Sequence, residues 1–233
     1  MFNVKIADVV MEIDNKQSYI YEYCKDWSSN GTPEFRVGVT ADEINKYISS
    51  CGYATDPRTV ERVLLSRKIA AKLPPYHAFL IHGGVIEFEG QGIIFSASRG
   101  VGKTTHINLW RDAFGDKVKV VNGDKPVIKR EGSEFIAHGT PWRGKENLGD
   151  NSSVKVNKLC FIKRADTPSV ERISEKQAWT RLCRQTVYPE SCEMYDVFAK
   201  DMADFLKSVD IYLVSVNQNV ESAIYVKNKI LTV

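Results

Sequence analysis

Apolar residues near the start of the chain recur at every second position, which is the period of a half-buried β-strand. The two runs with this period are Phe2, Val4, Ile6 and then Tyr19, Tyr21, Tyr23. They predict two β-strands, joined by a turn at residues 14–16, where Asp, Asn and Lys follow one another.

Two helices are predicted next along the chain. Thr40 with Glu43 forms a capping box, which predicts a helix over residues 41–50. The dipeptide Asp56-Pro57 is typical of a helix start and predicts a second helix that continues to residue 73. A proline pair directly after it ends this helix.

From residue 76 onward, short apolar runs alternate with glycine-rich turns and helical segments. This alternation predicts an α/β fold with a mixed β-sheet flanked by helices and a β-rich N-terminal part. The predicted strands cover residues 78–81, 85–88, 92–95, 117–121, 126–130, 134–138, 159–163 and 211–216, with Gly83-Gly84 as the turn between the first two. Four helices are predicted in this part: one ends at Phe114, one starts at Ser174, and two cover residues 195–206 and 219–230. Residues 140–153 are predicted to be a loop.

Composition narrows the classes of protein to which this chain can belong. Hydrophobic residues make up 43% and charged residues 26% of the 233 positions, which are ordinary values for a globular protein. No run approaches the roughly 18 apolar residues of a membrane span. A net charge of +3 with dispersed basic residues argues against a nucleic-acid partner. The five cysteines form no CxxC pair, so we expect free thiols, no zinc site and a cytoplasmic location.

The strongest chemical signal is the segment at residues 96–105, Ser-Ala-Ser-Arg-Gly-Val-Gly-Lys-Thr-Thr. It matches the P-loop (Walker A) pattern G-x-x-x-x-G-K-[ST], except that Ala97 stands at the first glycine. An apolar strand precedes this segment and a helix follows it. The backbone N–H groups of the loop therefore lie at the N-terminus of a helix, the positive end of its dipole, and can bind phosphate oxygens. The predicted ATP-binding residues are Ser98, Arg99, Gly100, Val101, Gly102, Lys103, Thr104 and Thr105.

Three residues have specific predicted roles in handling the nucleotide. Lys103 is predicted to reach the β- and γ-phosphates, and the Thr104 hydroxyl is predicted to be a ligand of Mg²⁺. Asp124 follows the next strand in an Asn-Gly-Asp turn, and is predicted either to hold Mg²⁺ or to accept the proton of an attacking hydroxyl. A turn aspartate without a catalytic role is the alternative interpretation.

Other candidate residues lie before and after this motif. His82 ends a predicted strand one hairpin earlier and is a candidate catalytic residue, although an isolated histidine is more often structural. Arg143 and Lys145 lie in a glycine-containing segment, and either is predicted to neutralise charge on the transferred phosphoryl group. The alternative for that segment is an exposed basic turn with a packed tryptophan. His106 is predicted either to belong to the site or to pack locally.

Four short motifs follow one another in a specific order. They are Ile81-His82-Gly83, the segment from Phe95 to His106, Asn122-Gly-Asp-Lys-Pro126 and Gly139-Thr-Pro-Trp142. In this order they resemble the HPr kinase/phosphorylase-like group of P-loop kinases, which is related in fold to ATP-dependent phosphoenolpyruvate carboxykinase. The resemblance covers residues 76–145 and is nearest to small bacterial members of the group, some of which occur in peptide-modification gene cassettes.

The resemblance implies a kinase that uses ATP and Mg²⁺, with His82, Lys103, Thr104 and Asp124 in its active site. The chain departs from HPr kinases at Thr105, where they carry an acidic residue, and at Gly123, where they carry the first of two aspartates. Phosphorylase activity and HPr as substrate are therefore not expected here. We predict one domain over residues 1–233, with an N-terminal portion over 1–75 and a nucleotide-binding core over 76–233.

The predicted activity is transfer of the γ-phosphate of ATP to a hydroxyl group of a peptide, a protein or a small alcohol. A homo-oligomer is left open, since kinases of this group often assemble. A non-catalytic ATP-binding accessory protein is the first alternative. The second is a carboxykinase-like metabolic enzyme, which would need several arginines around a small carboxylate and a transition-metal site.

Overall fold

The path of the chain was obtained as a computed structural model that describes residues 1–15, 18–52 and 55–231. Its strands are β1 Phe2–Ile6, β2 Val9–Asp14, β3 Phe35–Gly38, β4 Ala78–Leu80, β5 Gly83–Phe88, β6 Gln91–Ser96, β7 Val118–Asn122, β8 Val127–Glu131, β9 Glu134–His138, β10 Ser153–Arg164, β11 Ser169–Arg172 and β12 Asp210–Val216. Its α-helices are α1 Ser18–Cys24, α2 Ala41–Cys51, α3 Pro57–Lys72, α4 Lys103–Phe114, α5 Glu175–Cys183, α6 Cys192–Ser208 and α7 Val220–Ile230.

Strand β10 connects the two halves of a mixed sheet. Its first residues pair antiparallel with β9, and from Val156 onward it runs parallel to β6 and then to β12. The strand order is β4-β8-β9-β10-β6-β5-β7, with β12 beside β10 and β11 beside β12. The carboxyl ends of β6, β10 and β12 therefore meet at one edge, where open α/β sheets carry their binding crevices.

Helices cover both faces of this sheet. On one face, α4 and α7 share a buried cluster with the sheet that includes Phe95, Trp110 and Val226. On the other face, α5 and α6 share a second cluster that includes Leu182 and Phe205. The prediction of a mixed sheet flanked by helices is confirmed.

The N-terminal part forms a small sheet of its own, in the order β1-β2-β3. Its apolar face, together with α3, packs against residues that follow in the chain, including Leu80, Val127 and Trp142. The Trp27 indole N–H also donates a hydrogen bond to the Gly139 carbonyl oxygen, at 2.9 Å. These contacts bring α3 and the 139–150 segment to the same edge as the loop after β6.

The predicted strand at Tyr19, Tyr21 and Tyr23 is wrong, because these residues lie in α1. Strand β1 instead pairs with β2, which follows a tight turn formed by Ala7 and Asp8 with φ of 51° and 57°. As residues of a helix, the tyrosines have different surroundings: Tyr19 donates a hydrogen bond to the Glu61 carboxylate, whereas the Tyr21 side chain is exposed. The predicted turn at 14–16 includes Lys16, which lies outside the described residues.

The predicted turn at Gly83-Gly84 is also wrong, since both residues open β5. Their lack of side chains has a packing reason. A Cβ atom at Gly84 would collide with the Ile107 side chain of α4, and one at Gly83 would lie 3.2 Å from the Phe95 carbonyl oxygen. Gly84 thus lets α4 approach the sheet closely, and Gly83 lies close to the neighbouring strand β6.

The remaining predicted elements are confirmed, with shifts at their ends. The capping boxes at Thr40 and Ser174 are both formed. Strand β10 starts at Ser153, six residues before its predicted start, and the short strands β3 and β11 were not predicted. Within the described part of the chain, no helix is both long enough and apolar enough to cross a membrane.

Candidate active site

The loop between β6 and α4 has the backbone geometry of an anion-binding nest. Gly100 and Gly102 have φ of 82° and 112°, which glycine adopts without strain. Helix α4 begins at Lys103 without a side-chain cap, and the N–H groups of Gly102, Lys103 and Thr104 donate to no other described residue. Ala97 does not have a positive φ, so alanine is tolerated where the P-loop pattern has glycine.

Arg164, at the end of β10, holds this loop from outside. Its Nε donates to the Val101 carbonyl oxygen at 2.9 Å, and its Nη2 donates to the Gly100 carbonyl oxygen at 2.8 Å. These two hydrogen bonds keep the carbonyl groups of Gly100 and Val101 directed toward Arg164. Sequence reasoning missed Arg164, because only the parallel pairing of β10 with β6 brings it to the loop.

Three predicted catalytic residues meet at the start of α4. The Lys103 Nζ atom lies 3.1 Å from His82 Nε2 and donates to the Ala97 carbonyl oxygen at 2.9 Å. The same His82 Nε2 atom lies 3.4 Å from Asp124 Oδ1. The Lys103 side chain is buried, and burial lowers the pKa of its ammonium group while the charge of Asp124 opposes that effect.

The orientation of the His82 ring is set by a residue that sequence reasoning missed. His82 Nδ1 lies 3.0 Å from the Gln185 side-chain oxygen, and the His82 backbone N–H donates to the Gln185 carbonyl oxygen. An amide oxygen only accepts hydrogen bonds, so Nδ1 carries the proton in this arrangement. Nε2 then has a free lone pair, which accepts from Lys103. Gln185 follows α5, far along the chain, and no local pattern identifies it.

Asp124 is positioned by the fully buried side chain of Asn122. The Asn122 side-chain oxygen accepts from the backbone N–H groups of Asp124 at 2.9 Å and Lys125 at 2.7 Å, while its Nδ2 donates to the Thr140 carbonyl oxygen. Burial raises the pKa of Asp124, but the contact with His82 and the nearby charges of Lys125 and Lys103 together outweigh it. The net pKa lies below its ordinary value, so the carboxylate is ionised at neutral pH.

The position before Asp124 has no room for a side chain. A Cβ atom at Gly123 would lie 2.9 Å from the Arg143 carbonyl oxygen and 3.1 Å from the Leu148 Cβ atom. The Gly123 N–H donates to the Leu148 carbonyl oxygen, which keeps the two segments together. The packing of the 143–148 segment therefore leaves no room for a side chain at residue 123.

Arg143 and Lys145 occupy different environments in that segment. The Arg143 guanidinium lies over the Trp27 ring at 5.3 Å and donates to the Gly149 carbonyl oxygen at 3.0 Å. Lys145 is exposed, and Gly144 beside it lies against the Asp124 side chain. Their predicted role at the phosphoryl group remains a prediction.

The other residues of the predicted nucleotide site surround the start of α4. Ser98, Arg99 and Thr105 are exposed, and Thr104 is partly buried in the first turn of the helix. Within the described residues, no group of three His, Cys, Asp or Glu side chains could hold a metal ion.

His106 is buried and mainly packs within the core. Its Nε2 accepts a hydrogen bond from the Trp110 indole N–H at 3.0 Å, and its ring contacts Phe95 edge to face. Burial lowers the pKa of His106 to about 4, so the ring is neutral at physiological pH and carries its proton on Nδ1. Nδ1 has no hydrogen-bond partner among the described residues.

A cleft of about 500 Å³ lies between the first turn of α4 and the carboxyl ends of β10 and β12. His106 and Thr105 line it on the side of α4. Asp166, Asn217 and Gln218 line it on the side of the sheet and supply polar groups. The cleft thus begins where the anion-binding loop ends.

The likenesses of this chain to known proteins are distant and are seen in structure. No family model matches the chain, and no curated protein sequence matches it. Among solved structures, the Hpr(Ser) kinase/phosphatase from Coxiella burnetii aligns with 65% of this chain and 96% of its own, at 9% sequence identity and a TM-score of 0.38. At this level the likeness carries no conclusion about chemistry, which depends on the contacts of the residues described above.

Proposed function

We propose that this chain is a kinase that transfers the γ-phosphate of ATP to a hydroxyl group. One observation carries the proposal. Lys103, His82 and Asp124 converge at the start of α4, beside a glycine loop whose backbone N–H groups are free to bind an anion. A cation, a carboxylate and an anion-binding loop within a few ångströms are the parts that phosphoryl transfer requires.

ATP would lie across the loop with its phosphates on the N–H groups of Gly102, Lys103 and Thr104. The ammonium group of Lys103 would move from the Ala97 carbonyl oxygen to the β- and γ-phosphates. The nucleoside would enter the adjoining cleft, where Asp166 and Asn217 offer hydrogen-bonding groups. The cleft volume of about 500 Å³ is within the range of small-molecule pockets.

The residues at the start of α4 also fit Mg²⁺. This ion prefers oxygen ligands and retains several waters, so it needs few protein ligands. The Thr104 hydroxyl and the ionised Asp124 carboxylate are both hard oxygen donors, and they would hold the ion together with phosphate oxygens. When bound, Mg²⁺ would neutralise the charge that develops on the phosphates.

In the reaction, the acceptor oxygen would form a bond to the γ-phosphorus while the bond between that phosphorus and the β,γ-bridging oxygen breaks. ADP would leave with the electron pair of the broken bond, and the acceptor proton would pass to the oxygen of the Asp124 carboxylate that does not hold Mg²⁺. Asp124 suits this role because it is ionised and its backbone is held by Asn122. Once Lys103 has moved to the phosphates, His82 would hold the carboxylate by donating from Nε2, which requires that the ring carry a proton on that nitrogen.

The test is transfer of radiolabelled γ-phosphate from ATP, in the presence of Mg²⁺, to serine-containing peptides and small alcohols. We expect a labelled product from the native chain and a loss of at least about 100-fold with Asp124→Asn, the lower end of the range for removal of a general base. ATP binding without transfer to any acceptor, and unchanged ATP turnover in Asp124→Asn, would identify a non-catalytic ATP-binding accessory protein instead.

A further inference from the structure

A group of cations lies beside Asp124, between α3 and the turn that follows β7. Its members are Arg62 and Arg67 on α3 and Lys125 in the turn. Arg62 lies one helical turn before Ser66 in α3, and Arg67 lies directly after Ser66. Lys125 Nζ reaches α3 directly and donates to the Ser66 hydroxyl at 3.5 Å.

None of these three cations forms a direct ion pair with a carboxylate in the described part of the chain. Other cations of α3 do: Lys68 pairs with Glu43 at 2.6 Å, and Lys72 pairs with Glu190 at 2.8 Å. The three cations near Asp124 thus differ from these two lysines of the same helix.

The environment of Lys125 makes this arrangement costly. The Lys125 side chain is partly buried, and in the described part of the chain its ammonium group contacts only the Ser66 hydroxyl. Burying an ammonium group without a direct counter-ion is destabilising, and such groups in native proteins have a reason to persist. A bound anion would supply the missing counter-charge.

The walls of this region are aromatic and connect it to the catalytic carboxylate. The Arg62 guanidinium lies over the Tyr23 ring at 5.0 Å. Burial raises the pKa of Tyr23 to about 12; Asp124 adds to this effect, whereas Arg62 and Arg143 oppose it. Tyr23, Arg62 and Asp124 therefore lie within electrostatic range of one another.

The acceptor is a better match than ATP for these cations. In the proposed complex, the phosphates of ATP are already bound by the loop N–H groups and by Lys103. Asp124 and Lys125 share the backbone support of Asn122, but their side chains reach different partners: Asp124 meets His82, and Lys125 meets Ser66 on α3. A group bound at Lys125 would thus lie on the α3 side of the carboxylate that receives the acceptor proton.

We infer that Arg62, Arg67 and Lys125 bind an anionic group, a carboxylate or a phosphate, that the acceptor carries close to its reacting hydroxyl. This inference rests on the proposed function, because it names the substrate class of the same site. It predicts that neutral alcohols are poor ligands and that hydroxy acids or phosphorylated alcohols are better ones.

The test uses three small probes with similar carbon skeletons: glycerate, glycerol 3-phosphate and glycerol. Their binding is measured by calorimetry to the full chain loaded with Mg²⁺ and a non-hydrolysable ATP analogue. We expect glycerate or glycerol 3-phosphate to bind at least about tenfold more tightly than glycerol, as a charge-assisted contact implies. The tighter of the two identifies carboxylate or phosphate as the recognised group.

Lys125→Gln and Arg62→Gln should each weaken binding of the anionic probe by about tenfold, whereas the Lys125→Arg variant should still bind the probe. Lys119→Gln, an exposed cation of β7, serves as the matched control and should change nothing. Thermal unfolding of each variant shows that it is folded.

Equal affinity for all three probes, or unchanged affinity in both Gln variants, would overturn the inference. Weaker binding of the ATP analogue in Lys125→Gln, with the probe unaffected, would also overturn it and assign Lys125 to the nucleotide. Failure of the native chain to bind the ATP analogue at all is a distinct result, since it contradicts the proposed function itself.

Discussion

Lys103 Nζ and His82 Nε2 lie 3.1 Å apart, and the same imidazole nitrogen lies 3.4 Å from Asp124 Oδ1. One nitrogen cannot accept a hydrogen bond from the lysine and donate one to the carboxylate at the same time. Transfer of Lys103 to a phosphate would free Nε2 to take up a proton and donate to Asp124. We therefore expect nucleotide binding to change the contact between His82 and Asp124.

Gln185 is predicted to act by positioning His82. Gln185→Met keeps a side chain of similar size but removes the oxygen that accepts from Nδ1. We expect kcat to fall by about tenfold or more, as for other small misplacements of catalytic groups, without a change in the Kd for ATP. Steady-state kinetics and calorimetry measure the two quantities separately. Gln185→Glu retains an acceptor oxygen and should keep most of the activity; equal losses in both variants would contradict a positioning role.

Arg164 is predicted to support nucleotide binding through the carbonyl groups of the loop. Arg164→Gln removes two charge-assisted hydrogen bonds, to Gly100 and Val101, so the loop loses its fixed conformation. We expect the Kd for ATP and Mg²⁺ to rise by about tenfold. The adjacent exposed Lys163 provides the control, and an equal change in Lys163→Gln would show that only general surface charge matters.

The pH dependence of kcat is predicted from Asp124. Its pKa lies below the ordinary 3.8, so the carboxylate accepts protons at any pH above that range and loses this ability only as the pH falls through the lowered value. We therefore expect kcat to stay nearly constant as the pH falls from neutral to about 5, where an ordinary aspartate is still mostly ionised. A loss that begins near neutral pH would contradict Asp124 as the proton acceptor.

Asp201 is predicted to stabilise the fold rather than the site. Its carboxylate is 2% exposed and accepts hydrogen bonds from Arg130 Nη1 at 3.1 Å and His77 Nδ1 at 2.9 Å. Asp201→Asn weakens both contacts, and we expect the free energy of unfolding to fall by about 2 kcal/mol in urea titrations. Asp196→Asn, at an exposed position of the same helix, should leave stability unchanged, and a matching loss there would disprove the special role of Asp201.

Local interactions explain why much of the fold could be predicted from the sequence. The capping boxes at Thr40 and Ser174 join residues three positions apart, so the sequence alone identifies them. The tyrosines of α1 led to the wrong prediction of a strand, because residues at every second position also include pairs that are four positions apart. Tyr19 and Tyr23 thereby lie on one face of a helix, while Tyr21 is exposed.

The site was predictable only where a motif is contiguous. Residues 96–105 carry their own signal, and Asp124 and His82 stand at strand ends close to that motif in the chain. Gln185, Arg164 and Arg62 reach the site through strand pairing and helix packing between segments far apart in sequence. Their residue types are common, so nothing short of the three-dimensional arrangement identifies them.

The most direct test of the central claim is calorimetric titration of the native chain and of Lys103→Ala with ATP in the presence and absence of Mg²⁺. We predict binding by the native chain that is strengthened by Mg²⁺, and a loss of at least about tenfold in Lys103→Ala, because the ammonium group supplies a charge-assisted contact to the phosphates. Equal affinity in the two proteins, or no binding by either, would contradict the assignment of this loop to ATP and the kinase proposal with it.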